Sequence, residues 1–386
     1  MSQIKYYRHP EPFPLELGGE LPELTIAYHT FGRLNEKRDN VVWVCHALTA
    51  NSDVSDWWPH TVEKGCFLDP DRWFVVCANI LGSHYGTTGP LSVNPATGEP
   101  YYADFPKYTI RDMVAAHRLL ADHLGLGRIH KLVGSSVGGF QALEWAAWEP
   151  ERFERLVLIA TAPYASPWAI AIDETQRMAI KADATWGERR PDAAMAGLAA
   201  ARAIGLLTYR GPEGYNLTQQ DAPASTPLPS SGVSSSSSRV PCTAVFGGEA
   251  PEESAAPPSL RGAQRRPCTY QRYQGEKLCR RYNAYSYVAI LDAFDTHDIS
   301  RCNDPGAESA EAQAEGQQGA LARTLASINI PTTVVGLTTD IIFTPAEMRW
   351  LASCLPDATY HEIASPFGHD GFLVEHTQLN AILINR

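Results

Sequence analysis

The 386-residue sequence contains no run of eighteen apolar residues, the shortest stretch that is normally taken as a membrane-spanning helix. Its first residues also lack the apolar segment of a secretory signal peptide. We therefore expect a cytoplasmic protein that has no membrane partner.

Positive charge is also in short supply. The chain has 32 Lys and Arg residues against 43 Asp and Glu residues, which gives a formal net charge of -11 at pH 7. Nucleic acids and anionic membranes are bound through basic patches. The composition therefore argues against nucleic acid as a partner, whereas a local pocket for a small anion remains compatible with it.

Cysteine pairs of the zinc or redox type are absent, because the eight cysteines include no C-x-x-C spacing. Cys45 and Cys77 lie in or at the end of apolar, strand-like segments, where a buried and unpaired role is typical. We therefore expect no metal site and no disulfide framework.

The segment 134–139 (GSSVGG) is the most informative feature that is present. Apolar residues precede it at 129–133, as in a buried strand, and helix-compatible residues follow it from 140 to 148. Small residues around a serine between a strand and a helix are typical of a nucleophile elbow, a sharp turn that holds the serine hydroxyl out of the backbone. Ser136 is therefore the candidate nucleophile, with an ordinary loop as the alternative interpretation.

A nucleophilic serine needs a histidine base and a carboxylate that orients the histidine, and in this architecture they follow the serine in the order acid, then histidine. Asp340 comes just after a strand-like segment at 332–337, and His369 lies in a loop after another at 359–363. Taken alone, such an Asp is more often a turn former, and such a His is usually solvated. Their order after Ser136 favours a catalytic triad of Ser136, His369 and Asp340.

Acyl transfer through a serine also needs two hydrogen-bond donors for the oxyanion of the tetrahedral intermediate. The amide that follows the nucleophile, Val137 N–H, is the first candidate. The second is expected in a loop after an earlier strand. The loop 46–49 follows the apolar segment 41–45, and within it we choose the amide of Leu48.

Strand-like and helical segments alternate over much of the chain, with strands expected at 41–45, 73–78, 129–133, 156–161, 332–337 and 359–363. This rhythm predicts an α/β fold with a mostly parallel central sheet and helices on both faces. Near the N-terminus, the segments 13–17 and 24–28 flank a Gly-Gly turn and predict an antiparallel lead-in.

Strand-like segments are not found between residues 165 and 325, where the apolar residues recur with helical periodicity. We interpret 165–325 as a helical lid domain inserted into a core domain that 1–164 and 326–386 form. Within the lid, residues 221–266 are rich in Pro, Ser and Gly and predict a low-complexity loop with too little apolar surface to order itself.

Further segments form a specific pattern across the chain. They are CHALT at 45–49, NILG at 79–82 with GTTGP at 86–90, SVNP at 92–95, FP at 105–106 ahead of IRD at 110–112, QALEW at 141–145, AR at 201–202 with LTYR at 207–210, YQRYQG at 270–275 and GHD at 368–370. Together with the elbow they resemble the homoserine O-acetyltransferase family of acyltransferases. The resemblance covers nearly the whole chain apart from 221–266, and it implies the α/β-hydrolase fold with an inserted helical lid.

The resemblance also implies a function. An acetyl group would pass from acetyl-CoA to Ser136 and then to the side-chain hydroxyl of L-homoserine, a ping-pong reaction of methionine biosynthesis. Arg202 would bind the α-carboxylate of the acceptor with Tyr209 as its neighbour, and Asp370 would pair with the α-ammonium group. Acetyl-CoA would be a co-substrate with no bound cofactor, and a homodimer would form through the lid.

Each of these three side chains also has an ordinary explanation, as a solvated helix arginine, a packed tyrosine or a loop cap. Succinyl transfer, a different alcohol acceptor such as serine or a cephalosporin, and hydrolysis by a serine esterase remain alternatives for the same site. Arg202 and Asp370 are the residues that favour transfer to an amino acid.

Overall fold

The computed structural model of the chain describes residues 3–220, 265–309 and 313–384. The predicted low-complexity loop at 221–266 lies outside the described residues, apart from its last two positions.

The strands in the described residues are β1 (Lys5–His9), β2 (Phe13–Pro14), β3 (Glu20–Leu21), β4 (Leu24–Phe31), β5 (Val41–Cys45), β6 (Phe74–Ala78), β7 (Lys131–Ser135), β8 (Leu156–Ile159), β9 (Thr332–Leu337) and β10 (Ala358–Ile363). Eight of them form one sheet in the order β1-β4-β6-β5-β7-β8-β9-β10. The pairs β1 with β4 and β4 with β6 are antiparallel, and the other five pairs are parallel. The mostly parallel sheet is thus confirmed.

The α-helices of the described residues are α1 (Val54–Trp57), α2 (Ile110–His123), α3 (Val137–Trp148), α4 (Pro167–Lys181), α5 (Met195–Tyr209), α6 (Pro212–Thr218), α7 (Arg266–Cys279), α8 (Ala284–Asp295), α9 (Ser300–Asn303), α10 (Gly316–Ser327), α11 (Pro345–Cys354), α12 (Gly371–Val374) and α13 (His376–Leu383). A short 3-10 helix spans Gly368–Asp370.

Alternate residues of strand β5 enter two different hydrophobic cores. Trp43 packs on one face of the sheet, in the core that includes apolar residues of α2 and α3. Val42 and Val44 pack on the other face with Trp58 and Phe372. Because side chains alternate along a strand, a strand buried on both faces needs helices on both sides of the sheet. This is the layered arrangement that the sequence predicts.

The N-terminal lead-in differs from its prediction. Strand β4 pairs with β1, whereas the short β2 pairs with β3, where Phe13 faces Leu21. The predicted pairing of 13–17 with 24–28 was therefore wrong. Strand β1 has the sequence KYYRH and lies at the edge of the sheet with no buried residue, so it carries no apolar alternation by which to find it.

Every named element that the structure describes between β8 and β9 is a helix. Helix α5 packs against α4 on one side and α7 on the other, and α8 packs against α4. The approach of α7 to α5 is close at Gly275, where an added Cβ atom would lie 2.7 Å from the carbonyl oxygen of Ala199. Helix α10 instead packs on α3 and α11 beside the sheet. The division into core and lid domains stays a prediction.

Within the described ranges, no helix combines the length and the apolar character that crossing a membrane requires. In the same ranges, no group of three or more His, Cys, Asp or Glu side chains is arranged to hold a metal ion.

Candidate active site

Ser136 occupies a strained backbone position between β7 and α3. Its φ and ψ angles are 56° and -127°, a combination that residues with a Cβ atom rarely adopt. Its amide donates to the carbonyl of Ile159 on β8 over 3.0 Å, and its own carbonyl accepts from Thr161 Oγ1 over 2.9 Å. These contacts hold the turn sharp, so that the side chain projects beyond the end of the sheet. The structure therefore has the elbow that the sequence predicts.

Two glycines make this turn possible. A Cβ atom on Gly138 would overlap the carbonyl group of Cys45 on the neighbouring strand β5. A Cβ atom on Gly134 would lie 2.7 Å from Ala142 Cβ and closer still to the Gly138 carbonyl. The helix that follows the elbow can thus approach the sheet only because both positions lack a side chain.

The structure brings the three predicted triad side chains into hydrogen-bond contact. His369 Nε2 lies 2.9 Å from Ser136 Oγ, and His369 Nδ1 lies 2.7 Å from Asp340 Oδ2. The other carboxylate oxygen of Asp340 accepts from the amides of Ile342 and Phe343 over 2.8 and 3.0 Å. Because a carboxylate can only accept, Asp340 fixes the tautomer with hydrogen on Nδ1, which leaves Nε2 free to take the serine proton.

The fold explains this convergence of residues that are far apart in the sequence. Ser136 follows β7, Asp340 follows β9, and His369 lies in the short helix after β10. These strands are parallel members of one sheet, so their carboxyl ends meet at the same edge. Asp340 and His369 are both buried, while Ser136 is partly exposed toward the cleft.

Competing effects set the pKa of His369. Burial lowers it, while the charge of Asp340, the hydrogen bond to that carboxylate and the charge of Asp370 raise it, and the net result is a pKa above the usual 6.5. A base whose pKa lies near the working pH is suited to both accepting and returning a proton.

The two predicted oxyanion donors lie at neighbouring strand ends. Leu48 follows β5, and Val137 is the first residue of α3, where helix amides have no partner within the helix. Neither amide donates to an acceptor in the part of the chain that the structure describes. Gln141 Nε2 donates to the Val137 carbonyl over 3.2 Å, and its Oε1 lies 2.8 Å from His117 Nε2, which ties the helix start to the core.

Arg202 and Tyr209 both lie on α5, which packs against the short helix that carries His369. The Arg202 guanidinium carbon is 5.6 Å from the centre of the Tyr209 ring, and that ring is 6.2 Å from the His369 ring. Arg202 has no hydrogen bond or ion pair with the residues that the structure describes. Burial raises the pKa of Tyr209 well above 10, so its hydroxyl stays protonated. A guanidinium without a carboxylate partner, so close to the triad, suits an anionic ligand.

Asp370 already has a partner within the protein. Its Oδ2 accepts from Arg210 Nε over 3.1 Å, and both side chains are largely buried. From the sequence, Arg210 is only the last residue of the LTYR motif at 207–210 and has no predicted role. The one signal in the sequence was that Arg210 directly follows the candidate Tyr209. Its partner Asp370 lies 160 positions away, so the sequence did not indicate the pair.

The cleft also collects positive charge that the sequence did not predict. Burial lowers the pKa of Lys277 on α7, and so do the nearby charges of Arg281 and Arg202, while Asp56 opposes them. Cations close enough to influence one another in this way create a local positive potential in a chain that is acidic overall.

Residues 40–376 match the family described as alpha/beta hydrolase fold. Among curated proteins, the chain is 39% identical over 383 residues to a homoserine O-acetyltransferase of Cyclobacterium marinum, which covers 99% of this chain and 94% of that protein. It is 36% identical over 387 residues to a homoserine O-acetyltransferase of Trichormus variabilis, covering 100% of this chain and 94% of that protein.

Solved structures show the same fold. A homoserine O-acetyltransferase from Bacillus anthracis superposes with a TM-score of 0.79 at 21% identity, covering 100% of this chain and 98% of that one. Esterase E22 superposes with a TM-score of 0.77 at 22% identity, covering 100% and 99%. At these identities the likeness concerns the fold alone, and the fold hosts both transferases and esterases.

The fold and the family match together define an enzyme of the α/β-hydrolase fold. The curated relatives, which match over nearly their full length, narrow this class further. The chain belongs to the homoserine O-acetyltransferase family.

The raised pKa of His369 leads to an expected pH dependence. Ser136 reacts only when the imidazole is neutral, so the rate of Ser136 phosphonylation by a fluorophosphonate is expected to rise with pH, with a midpoint above 6.5. Replacing Asp340 with Asn removes the charge that raises the pKa and leaves burial, which lowers it. The midpoint of this variant is expected at lower pH, with a rate reduced by roughly 100-fold or more.

Asp357→Asn, at an exposed position, is the matched control and is expected to leave the midpoint unchanged. A midpoint below 6.5 in the unmodified protein, or one that Asp340→Asn does not move, would contradict this view of the base.

Proposed function

We propose that the protein transfers an acetyl group from acetyl-CoA to the side-chain hydroxyl of L-homoserine. The observation that carries the proposal is the contact of Ser136 with a His369 that Asp340 orients, in a chain that matches proteins named homoserine O-acetyltransferase over almost its whole length. The same proposal makes Ser136 the nucleophile, His369 the general base and Asp340 the orienting acid.

In the first half-reaction, His369 Nε2 takes the Ser136 proton while Oγ attacks the thioester carbonyl of acetyl-CoA. The carbonyl oxygen becomes an oxyanion, which the amides of Leu48 and Val137 stabilise by hydrogen bonds. When the intermediate collapses, the bond from carbon to sulfur breaks, and the His369 proton passes to the departing thiolate. The products are acetyl-Ser136 and free CoA.

In the second half-reaction, the acceptor hydroxyl takes the place that CoA has left. His369 removes the hydroxyl proton, the alkoxide attacks the acetyl carbonyl, and the same amides hold the second oxyanion. Collapse breaks the ester bond to Ser136 Oγ, which recovers its proton from His369. Because water is a competing acceptor, transfer depends on a cleft that the lid closes and on contacts that hold the amino acid.

Binding of the amino acid is the basis for choosing transfer over hydrolysis. We assign the α-carboxylate to Arg202, with Tyr209 packed beside it, and the α-ammonium group to Asp370. Because Asp370 Oδ2 already accepts a hydrogen bond from Arg210, the ammonium group would approach the other carboxylate oxygen, Oδ1. Arg210 thereby also keeps this carboxylate in place when the cleft is empty.

Acetyl-CoA acts here as a co-substrate, and no bound cofactor is part of the proposal.

The proposed homodimer, formed through the lid, is supported by apolar side chains on lid helices that are about half exposed or more, namely Met178, Leu207 and Leu217. A monomeric sedimentation coefficient at micromolar concentration would contradict it. The cytoplasmic location stays a prediction.

Donor and acceptor can be tested in one experiment. The protein is mixed with acetyl-CoA or succinyl-CoA, and with homoserine, serine or water, while CoA release and product mass are followed. Without an acceptor, acetyl-CoA is expected to release one equivalent of CoA per active site, and continuous release is expected only with acetyl-CoA and homoserine, accompanied by O-acetylhomoserine. Ser136→Ala is expected to abolish it, because the acyl carrier is lost.

Ser135→Ala is the matched control for that variant, since the Ser135 hydroxyl is buried and has no hydrogen-bond partner among the described residues. It is expected to retain activity. Continuous CoA release, beyond one equivalent per active site, that does not need an amino acid would indicate a hydrolase. A preference for succinyl-CoA or serine would redirect the substrate assignment.

Arg202 provides a test of the acceptor site. A bidentate, charge-assisted hydrogen bond from arginine to a carboxylate contributes about 2 kcal/mol. Arg202→Gln is therefore expected to raise the KM for homoserine roughly 30-fold. The KM for acetyl-CoA is expected to change less than about two-fold. Arg202→Lys, which keeps the charge but not the planar fork, is expected to lie between. Equal effects on both KM values in steady-state kinetics would rule out a carboxylate contact at Arg202.

A further inference from the structure

Arg281 contacts the turn that carries the Leu48 amide. Arg281 lies in the turn between α7 and α8, and its Nη1 donates to the Thr49 carbonyl over 2.6 Å. The same nitrogen contacts the Tyr85 hydroxyl. Arg281 is thus a partly buried cation from the lid whose main acceptor is a backbone oxygen next to the oxyanion donor.

The backbone of this turn connects that contact to the donor through two peptide groups. The Thr49 carbonyl belongs to the same peptide group as the Ala50 amide, and Ala50 N–H donates to the Ala47 carbonyl over 3.0 Å. The Ala47 carbonyl in turn belongs to the same peptide group as Leu48 N–H. A continuous chain of hydrogen bonds therefore runs from the guanidinium of Arg281 to the Leu48 amide proton.

Such a chain does more than fix geometry. Each hydrogen bond polarises the peptide group it reaches and strengthens the next donor, by about 10–30% per bond in condensed phases. A cation at the start of the chain withdraws electron density from each peptide group in turn, so it makes the terminal N–H a better donor to an oxyanion. His46 Nδ1, 2.8 Å from the Ala47 carbonyl oxygen, acts on the same peptide group from the core side.

We propose that Arg281 is a positioning residue that orients and polarises the Leu48 oxyanion donor through Thr49 and Ala47. The lid thereby contributes to stabilising the transition state as well as to covering the cleft. This inference rests on the proposed function only through Ser136 and its oxyanion donors, and it does not depend on which alcohol is the acceptor.

The test compares Arg281→Gln with Arg280→Gln, which removes the same charge from the adjacent, exposed position. The first readout is the rate at which p-nitrophenyl acetate acylates Ser136, because this ester uses the same oxyanion donors and needs no amino acid. The second is the amide proton resonance of Leu48 in leucine-labelled protein, which needs no activity at all. Melting temperatures are recorded for every variant.

Arg281→Gln is expected to slow acylation about ten-fold, less than the 100- to 1,000-fold loss that follows complete removal of an oxyanion donor. Its Leu48 amide proton is expected to move upfield, as for a less polarised donor. Arg280→Gln is expected to stay within about two-fold of the unmodified protein with an unmoved resonance. Arg281→Lys, which keeps one charged donor, is expected to lie between the two.

An acylation rate and a Leu48 resonance in Arg281→Gln that match those of the unmodified protein would overturn the proposal. So would a lowered melting temperature without a moved resonance, because that result indicates packing alone. If the Gln variant does not fold, Arg281→Lys decides by the same two readouts, and values identical to those of the unmodified protein would overturn the proposal. If the Arg281 variants slow acylation by the ester as expected, but the unmodified protein transfers no acetyl group to homoserine, this inference stands and the acceptor assignment is rejected.

Discussion

The strained turn at Ser136 is the constraint on which the rest of the site depends. A positive φ at a residue with a Cβ atom costs of order 1–3 kcal/mol, and it persists only where the surroundings fix it. Here the backbone of Ser136 is bound at both ends, by the Ile159 carbonyl and by the Thr161 hydroxyl. The turn then sets two things at once, since it aims the hydroxyl at His369 and starts the helix whose first amide is Val137. The proposed nucleophile and one proposed oxyanion donor are therefore consequences of one local conformation.

The sheet and the helical segment between β8 and β9 contribute different kinds of side chains around this turn. The parallel strands supply the buried, acceptor-rich part, in which Asp340 holds His369 with a raised pKa. The helical segment supplies cations, with Arg202 above the cleft and Arg281 bound to the loop after β5. The two sets of residues thus differ in chemistry, with a carboxylate and an imidazole from the strand ends and guanidinium groups from the helical segment. The triad residues come from the sheet and the cations come from the helices. One hydrolase-type sheet can therefore serve hydrolysis or transfer, depending on which ligand the helices bind.

Sequence patterns were sufficient for elements with a strong local signal. Strands β5 and β9 match the predicted ranges 41–45 and 332–337, since runs of β-branched residues identify buried strands. The order of Ser136, Asp340 and His369 predicted that their side chains lie together, and the structure brings them into contact because parallel strands bring their ends together. Strand β1 was missed for lack of apolar alternation. The contacts of Arg210 with Asp370 and of Arg281 with Thr49 join residues 160 and 232 positions apart, and no local pattern encodes such pairings.

The central claim is that acyl transfer proceeds through a covalent ester on Ser136, and mass spectrometry tests it most directly. The protein is mixed with acetyl-CoA in the absence of an acceptor, quenched in acid and digested. The peptide that contains Ser136 is expected to gain one acetyl group, and to lose it when homoserine is added before the quench. Transfer to homoserine without any acetylated Ser136 peptide, or an acetyl group on a different residue that homoserine removes, would contradict it.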